Sequence, residues 1–118
     1  MAEDIELKIF MPEKLALHKK VYRVFLPSDS KPMTVIKDRA PTLMALDMGA
    51  VKILDESNNV AEEWLISGGA ADIQNNTCTI LTESALARKG LTAEKAEELN
   101  ADFPNPFYQW LIGYLKQK

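Results

Sequence analysis

The sequence predicts a mainly-β fold, a sandwich or barrel, followed by a short helical tail. Short runs of apolar and β-branched residues recur at regular spacing from Ile5 to Thr82, separated by Pro, Gly, Asn and Asp clusters. That is the signature of an all-β domain. Near Glu83 the period changes. Phe107, Trp110, Leu111, Tyr114 and Leu115 then recur at i, i+3, i+4, i+7 and i+8, the stripe of an amphipathic helix.

The elements follow in order. Ile5, Leu7 and Ile9 alternate with Glu6 and Lys8, as in a half-buried strand. Met11 to Lys14 reads as a turn, because Pro12 fixes φ and removes a ladder donor. His18, ahead of Lys19-Lys20, reads as a solvated turn residue. Val21 to Leu26 is a strand rich in β-branched and aromatic residues. The polar stretch from Pro27 to Pro32 is a loop, and Met33 to Ile36 a short strand. A turn from Lys37 to Pro41 leads to the apolar run Leu43 to Leu46.

Ala50 to Leu54 and Glu62 to Ile66 flank five polar turn-formers and read as a hairpin. Ser67-Gly68-Gly69 reads as a tight turn or bulge where only glycine fits. Ala71 to Gln74 and Thr77 to Thr82 form a second hairpin across Asn75-Asn76, a pair that tolerates positive φ. Ala85 to Lys89 reads as one helical turn stopped by Gly90. Thr92 caps a helix running to Asn100, with Glu94 at the positive end of its dipole. Ala96, Leu99 and Phe103 fall on one face. Pro104 ends that helix, Asn105 caps the next, and Pro106 fits its first position.

Composition excludes several classes. The net charge is −3 and the lysines are dispersed, so there is no basic stripe for nucleic acid. No apolar run approaches the ~20 residues of a membrane span. The acidic start Met1-Ala2-Glu3-Asp4 is unlike a secretory leader. Cys78 is the single cysteine. It reads as a packing or face residue, with a reactive thiol as the alternative, and nothing basic beside it lowers its pKa. His18 is the single histidine, and no clustered donors suggest a metal site or a cofactor. Ser67-Gly68-Gly69 lacks the lysine and spacing of a phosphate loop. Glu62-Glu63 and Glu97-Glu98 read as solvated surface. Glu62 and Glu63 point to opposite faces of a strand, which makes them a poor acid-base couple. No catalytic residues emerge. The aromatic stripe either packs on its own domain or anchors a partner.

Several motifs, in order, carry a resemblance. Met11-Pro12-Glu13-Lys14-Leu15 is similar to a T-P-E-K turn. Arg39-Ala40-Pro41-Thr42-Leu43 looks like H-A-P-L-L, and Gly49-Ala50-Val51-Lys52-Ile53 like G-x-V-x-I. Ser67-Gly68-Gly69-Ala70-Ala71-Asp72-Ile73 looks like S-G-G-F-A-E-V, and Thr79-Ile80-Leu81-Thr82-Glu83-Ser84-Ala85 like T-V-L-A-E-x-A. The chain thereby resembles the epsilon subunit of the F-type ATP synthase, called delta in mitochondria. The resemblance implies a ten-stranded β-sandwich over residues 1–85 and a short two-helix hairpin over 86–118. It also implies a non-catalytic central-stalk subunit, binding the gamma subunit and the polar loops of the c-ring. The expected location is peripheral, on the cytoplasmic face of a bacterial inner membrane, with an organellar equivalent left open. The alternative is a stand-alone β-sandwich binding module using the aromatic helix.

The chain departs from the family pattern at both ends of that function. The glycine-rich loop G-x-x-G-x-F-G is here Ser28-Asp29-Ser30-Lys31-Pro32-Met33-Thr34, and Arg39 replaces a histidine. Lys31, Met33, Asp38 and Arg39 become the expected ring contacts. The ATP-binding motif I/L-D-x-x-R-A is Leu91-Thr92-Ala93-Glu94-Lys95-Ala96, and lysine lacks the guanidinium fork. Little or no ATP binding is expected. The last helix carries Lys116 and Lys118 but no arginine, and residues 106–117 span about 18 Å at 1.5 Å per residue. Phe107, Trp110, Leu111, Tyr114 and Leu115 are expected to hold it on the sandwich or on gamma, where it inhibits poorly.

Overall fold

The structure, a computed structural model, describes residues 4–29 and 31–117. Met1 to Glu3, Ser30 and Lys118 lie outside the described residues. Ten strands form two five-stranded sheets, and two helices follow. The first sheet has the order β2 (Lys14–Val21), β1 (Ile5–Met11), β9 (Thr77–Leu81), β8 (Gly69–Gln74), β5 (Thr42–Leu46). The second has the order β10 (Ala85–Ala87), β7 (Val60–Ile66), β6 (Gly49–Leu54), β3 (Arg23–Leu26), β4 (Met33–Val35). The helices are α1 (Ala93–Asp102) and α2 (Pro106–Lys116). The mainly-β sandwich with a helical pair expected from the sequence is what forms.

Period-two alternation fixes which side chains meet between the sheets. Ile5, Leu7 and Ile9 of β1, Val24 and Leu26 of β3, Val51 and Ile53 of β6, and Ile73, Cys78 and Ile80 of the β8–β9 hairpin form one buried core. Cys78 is therefore a packing residue. Burial, with the Asp72 carboxylate nearby, pushes its thiol up to about 12. Asn75 and Asn76 both adopt positive φ and close the β8–β9 hairpin in two residues, as their side chains permit. Gly69 has φ +142°, and a Cβ there would lie 1.9 Å from the Leu81 carbonyl oxygen. Only glycine lets β8 start this close to β9.

Four local readings are corrected. His18 is not in a turn. It lies within β2, opposite Lys8 of β1. β2 is an edge strand bearing Lys14, Lys19 and Lys20, and charged edge strands lose the alternation that marks a buried one. The single strand expected from Val21 to Leu26 is broken at Tyr22, where the chain leaves the first sheet for the second. Residues 85–89 form no helical turn. Ala85 to Ala87 pair with Ile66 to Trp64 as β10, because one isolated turn is unfavourable while the edge of β7 offers ready partners. The sandwich thus includes Leu86 and Ala87. Finally, Phe103 does not share the buried face of Ala96. It caps α1 with extended φ and is 73% exposed, since Pro104 disfavours helical geometry in the residue before it.

Candidate interaction surfaces

The outer face of the second sheet is covered by the chain's own helices. Thr92 caps α1 by accepting from the Lys95 N–H at 3.1 Å, and Asn105 caps α2 by accepting from the Tyr108 N–H at 3.0 Å. Pro106 starts α2 without an orphan donor. Phe107, Leu111 and Leu115 are buried on α2. They pack with Ala96 of α1, Ala50 of β6, Leu65 of β7 and Leu91. Burying each large side chain contributes about 1.5–3 kcal/mol. Trp110 stacks between Phe107 and Tyr114, with ring centroids 6.2 and 4.9 Å away. The Tyr114 hydroxyl donates to the Glu63 carboxylate of β7. Burial and that contact push its pKa up to about 12.

Glu62 and Glu63 are half-buried rather than solvated, and their opposite faces find separate partners. Glu63 holds α2. Glu62 accepts from Lys19 Nζ of β2 at 2.8 Å and from Trp64 Nε1 at 2.9 Å, joining the two sheets. The Lys19 contact first, with help from Trp64, holds the Glu62 carboxyl below its usual range.

The outer face of the first sheet is open. Strand register places Leu15, Phe10, Leu81, Ala70 and Ala45 side by side, one from each strand. This row crosses the sheet without a charge. Leu15 is 46% and Leu81 56% exposed. A groove of about 560 Å³ runs beside it, lined by Phe10, Met11, Pro12, Gly69 and Leu81 among others. The next row is Leu43, Asp72, Thr79, Lys8 and His18. Below it, Thr77, Glu6 and Lys20 follow. Polarity thus rises toward the Asn75-Asn76 turn. His18 Nε2 lies 2.5 Å from Glu6 Oε2, and this contact holds the Glu6 carboxyl below its usual range. The sequence reading did not find the apolar row, because its members lie between positions 10 and 81 and meet only through strand pairing.

The four residues expected to face a ring are divided. Lys31 and Met33 line a cleft of about 420 Å³ with Ser28, Thr42, Leu43, Met44, Ala45 and Asp47. Asp38 lies at the other end of β5, with φ +63°. Its N–H donates to Asn76 Oδ1 at 2.6 Å, and Asn76 Nδ2 donates back to its carboxylate at 3.3 Å. Arg39 is exposed beside it. Among the described residues no three His, Cys, Asp or Glu side chains cluster as metal ligands, and no helix is long and apolar enough to cross a membrane.

The fold is a two-faced β-sandwich, with one outer face covered by its own helices and the other open and apolar at one end. Residues 4–88 match the family described as ATP synthase, Delta/Epsilon chain, beta-sandwich domain, and the chain belongs to that family. Over 102 residues, 86% of this chain and 69% of the relative, it is 33% identical to the ATP synthase epsilon chain of Rhizobium rhizogenes. Over 86 residues it is 35% identical to that of Rhizobium meliloti, covering 73% of this chain and 63% of the relative. The matches thus span about two thirds of these relatives' length. The chloroplastic epsilon chain of Euglena gracilis is 29% identical over 87% of this chain and 84% of its own. In structure, the chain is similar to one in the Euglena gracilis mitochondrial ATP synthase (OSCP/F1/c-ring), with TM-score 0.69, 17% identity, and 96% of this chain and 75% of that one covered. One from the central stalk and c-ring of the Tetrahymena thermophila enzyme gives TM-score 0.60 and 18% identity over 92% of this chain and 96% of its own. At these identities the structural likeness speaks for the fold.

Proposed function

We propose that this chain is a non-catalytic rotor subunit of an F-type ATP synthase, peripheral to the membrane, transmitting torque between the gamma subunit and the c-ring. The observation that carries the gamma contact is the apolar row Leu15, Phe10, Leu81, Ala70 and Ala45 on the open face of a delta/epsilon-family sandwich. Uncharged rows on an exposed sheet face mark protein interfaces. Lys31, Met33, Asp38 and Arg39 would face the ring from two positions flanking β5. The helical pair α1 and α2 acts as a clasp on the sandwich, and Thr92 and Lys95 leave it without an ATP site. The bacterial relatives favour the cytoplasmic face of an inner membrane.

The alternative, a free-standing module that binds through its aromatic helix, is disfavoured. Phe107, Leu111 and Leu115 are already buried against their own sheet. The deciding experiment co-expresses the tagged chain with gamma and the c-ring. Both should co-purify with the wild type, and Leu81→Arg should lose gamma while keeping its circular dichroism. A folded wild type that captures neither subunit would sink the stalk reading. A Leu81→Arg protein that retains gamma fully would remove the row from it.

A further inference from the structure

The sandwich has four sheet edges, and three are protected. β2 carries Lys14, Lys19 and Lys20, with a register shift opposite Ile9 and Phe10. β4 is three residues long and follows Pro32, and β10 is three residues long with Leu86 under the helices. Lysines, bulges, proline, shortness and cover are the usual defences against edge-to-edge pairing. β5, the other edge of the first sheet, follows Pro41 and has Ser28, Lys31 and Met33 across a cleft, but it is longer than β4 or β10 and has no lysine or register shift of its own. Thr42-Leu43-Met44-Ala45-Leu46 holds no charge and no proline, and its register with β8 is unbroken. Leu43 is 78% exposed, the most exposed of the large apolar side chains among the described residues.

We propose that β5 pairs antiparallel with β5 of a second copy of this chain, centred on Met44, so that the two first sheets form one continuous sheet. The strand is complementary to itself in that register. Leu43 falls opposite Ala45 of the second copy on the same open face, and Thr42 falls opposite Leu46 on the inner face. Ala45 ends the apolar row of its own subunit. The second copy's Leu43 therefore extends that row by one strand and loses its exposure. Cross-strand neighbours of this kind are the unit of sheet stabilisation.

Charge agrees with the pairing. No like charges meet along β5, and its flanks differ in sign, with Arg39 before it and Asp47 after it. Antiparallel pairing brings each flank toward the opposite one. Arg39 makes no ion pair among the described residues. The nearby Asp38 carboxylate is turned to Asn76. Five-residue strands bury less than a standard interface, so the dimer is weak and depends on concentration.

The proposal stands apart from the stalk reading, and the test uses the isolated chain. Sedimentation equilibrium from micromolar to millimolar protein should show a monomer–dimer transition. Leu43→Lys should stay monomeric over that range with an unchanged circular dichroism spectrum. The register is tested by disulfide trapping, in which an equal mixture of Leu43→Cys and Ala45→Cys proteins should cross-link faster than either alone. Cys78 is buried and stays out of that chemistry. A wild type that remains monomeric throughout, a Leu43→Lys protein that dimerises like wild type, or a mixture that cross-links no faster than its components would each overturn the proposal.

Discussion

The Tyr114 hydroxyl of α2 donates to the Glu63 carboxylate of β7, tying the last helix to an inner strand of the second sheet. Burial favours the neutral phenol, and the contact adds to it. Tyr114 is one of three tyrosines. Spectrophotometric titration should find one phenol ionising near 12, and Tyr114→Phe should remove that step. A folded pKa raised above the ordinary 10 favours the native state wherever the phenol stays neutral. That contribution is complete below pH 10 and is lost as pH rises toward 12. Denaturation midpoints should therefore fall across this window in the wild type, and fall less in Tyr114→Phe.

The carboxylates act at the other end of the pH scale. In the folded protein the Glu6 and Glu62 carboxyls are both held below the ordinary carboxylate range. Their contribution is present above the ordinary carboxylate range and is lost as pH falls through the depressed values. Both hold the edge strand β2, Glu6 through His18 and Glu62 through Lys19. Acidification should loosen β2 first, seen as faster amide exchange from Lys14 to Val21. Glu62→Gln should weaken that acid response. Equal exchange in β2 and the central β9 at all acidic pH values would refute it.

Strands that bury one face were legible from their sequence. β1, β8 and β9 alternate as their burial demands, and the capping residues Thr92, Asn105 and Pro106 occupy their expected places. Elements whose identity depends on a neighbour were not. β2 is pinned by Glu6 and Glu62 from other strands, and β10 exists because β7 has an edge to fill. The open apolar row was hidden for the same reason. Leu15 and Leu81 look like scattered surface leucines until the parallel pairing of β1 with β9 brings them to either side of Phe10.

Three glycines separate conformational cost from steric cost. At Gly69 a Cβ would meet the Leu81 carbonyl oxygen at 1.9 Å with φ +142°. β8 and β9 would have to part, so Gly69→Ala should cost several kcal/mol, on the order of the most damaging single substitutions. Gly90 has φ +79° with nothing within 4 Å of the added carbon, so Gly90→Ala should cost only about 1 kcal/mol of left-handed strain. Gly113 lies in α2 with open space around it, so Gly113→Ala should stabilise by about 0.5–1 kcal/mol. Urea unfolding of the three variants should rank them in that order.

Asn76 has two duties, closing the β8–β9 hairpin and clamping Asp38. Asn75 lacks the second. Asn75→Gly should therefore leave the loop from Lys37 to Ala40 unchanged, because glycine takes positive φ freely. Asn76→Gly should keep the hairpin and release the loop. Hydrogen exchange should quicken at Asp38 in the second variant alone. In the assembled enzyme, the same variant should reduce proton pumping more than Asn75→Gly, if Asp38 and Arg39 meet the ring. Equal pumping by the two variants would remove this loop from the coupling path.

The helical pair gives the last prediction. Leu111 is completely buried between α2 and the second sheet, so Leu111→Ala should destabilise by about 2–4 kcal/mol. Leu111→Asp should free α2 from the sheet without removing it. If the pair is a static clasp, neither Leu111→Asp nor deletion of residues 104–118 should raise ATP hydrolysis by the assembled head. Both should instead expose Leu65 and Ala50, lower thermal stability and increase binding of an apolar dye. ATP should give no heat of binding at sub-millimolar affinity, since the Thr92 hydroxyl is engaged as a cap by the Lys95 N–H. A strong rise in hydrolysis on deletion would mean that the helices act as a brake, and that the contacts of Leu111 and Tyr114 hold only one of two positions.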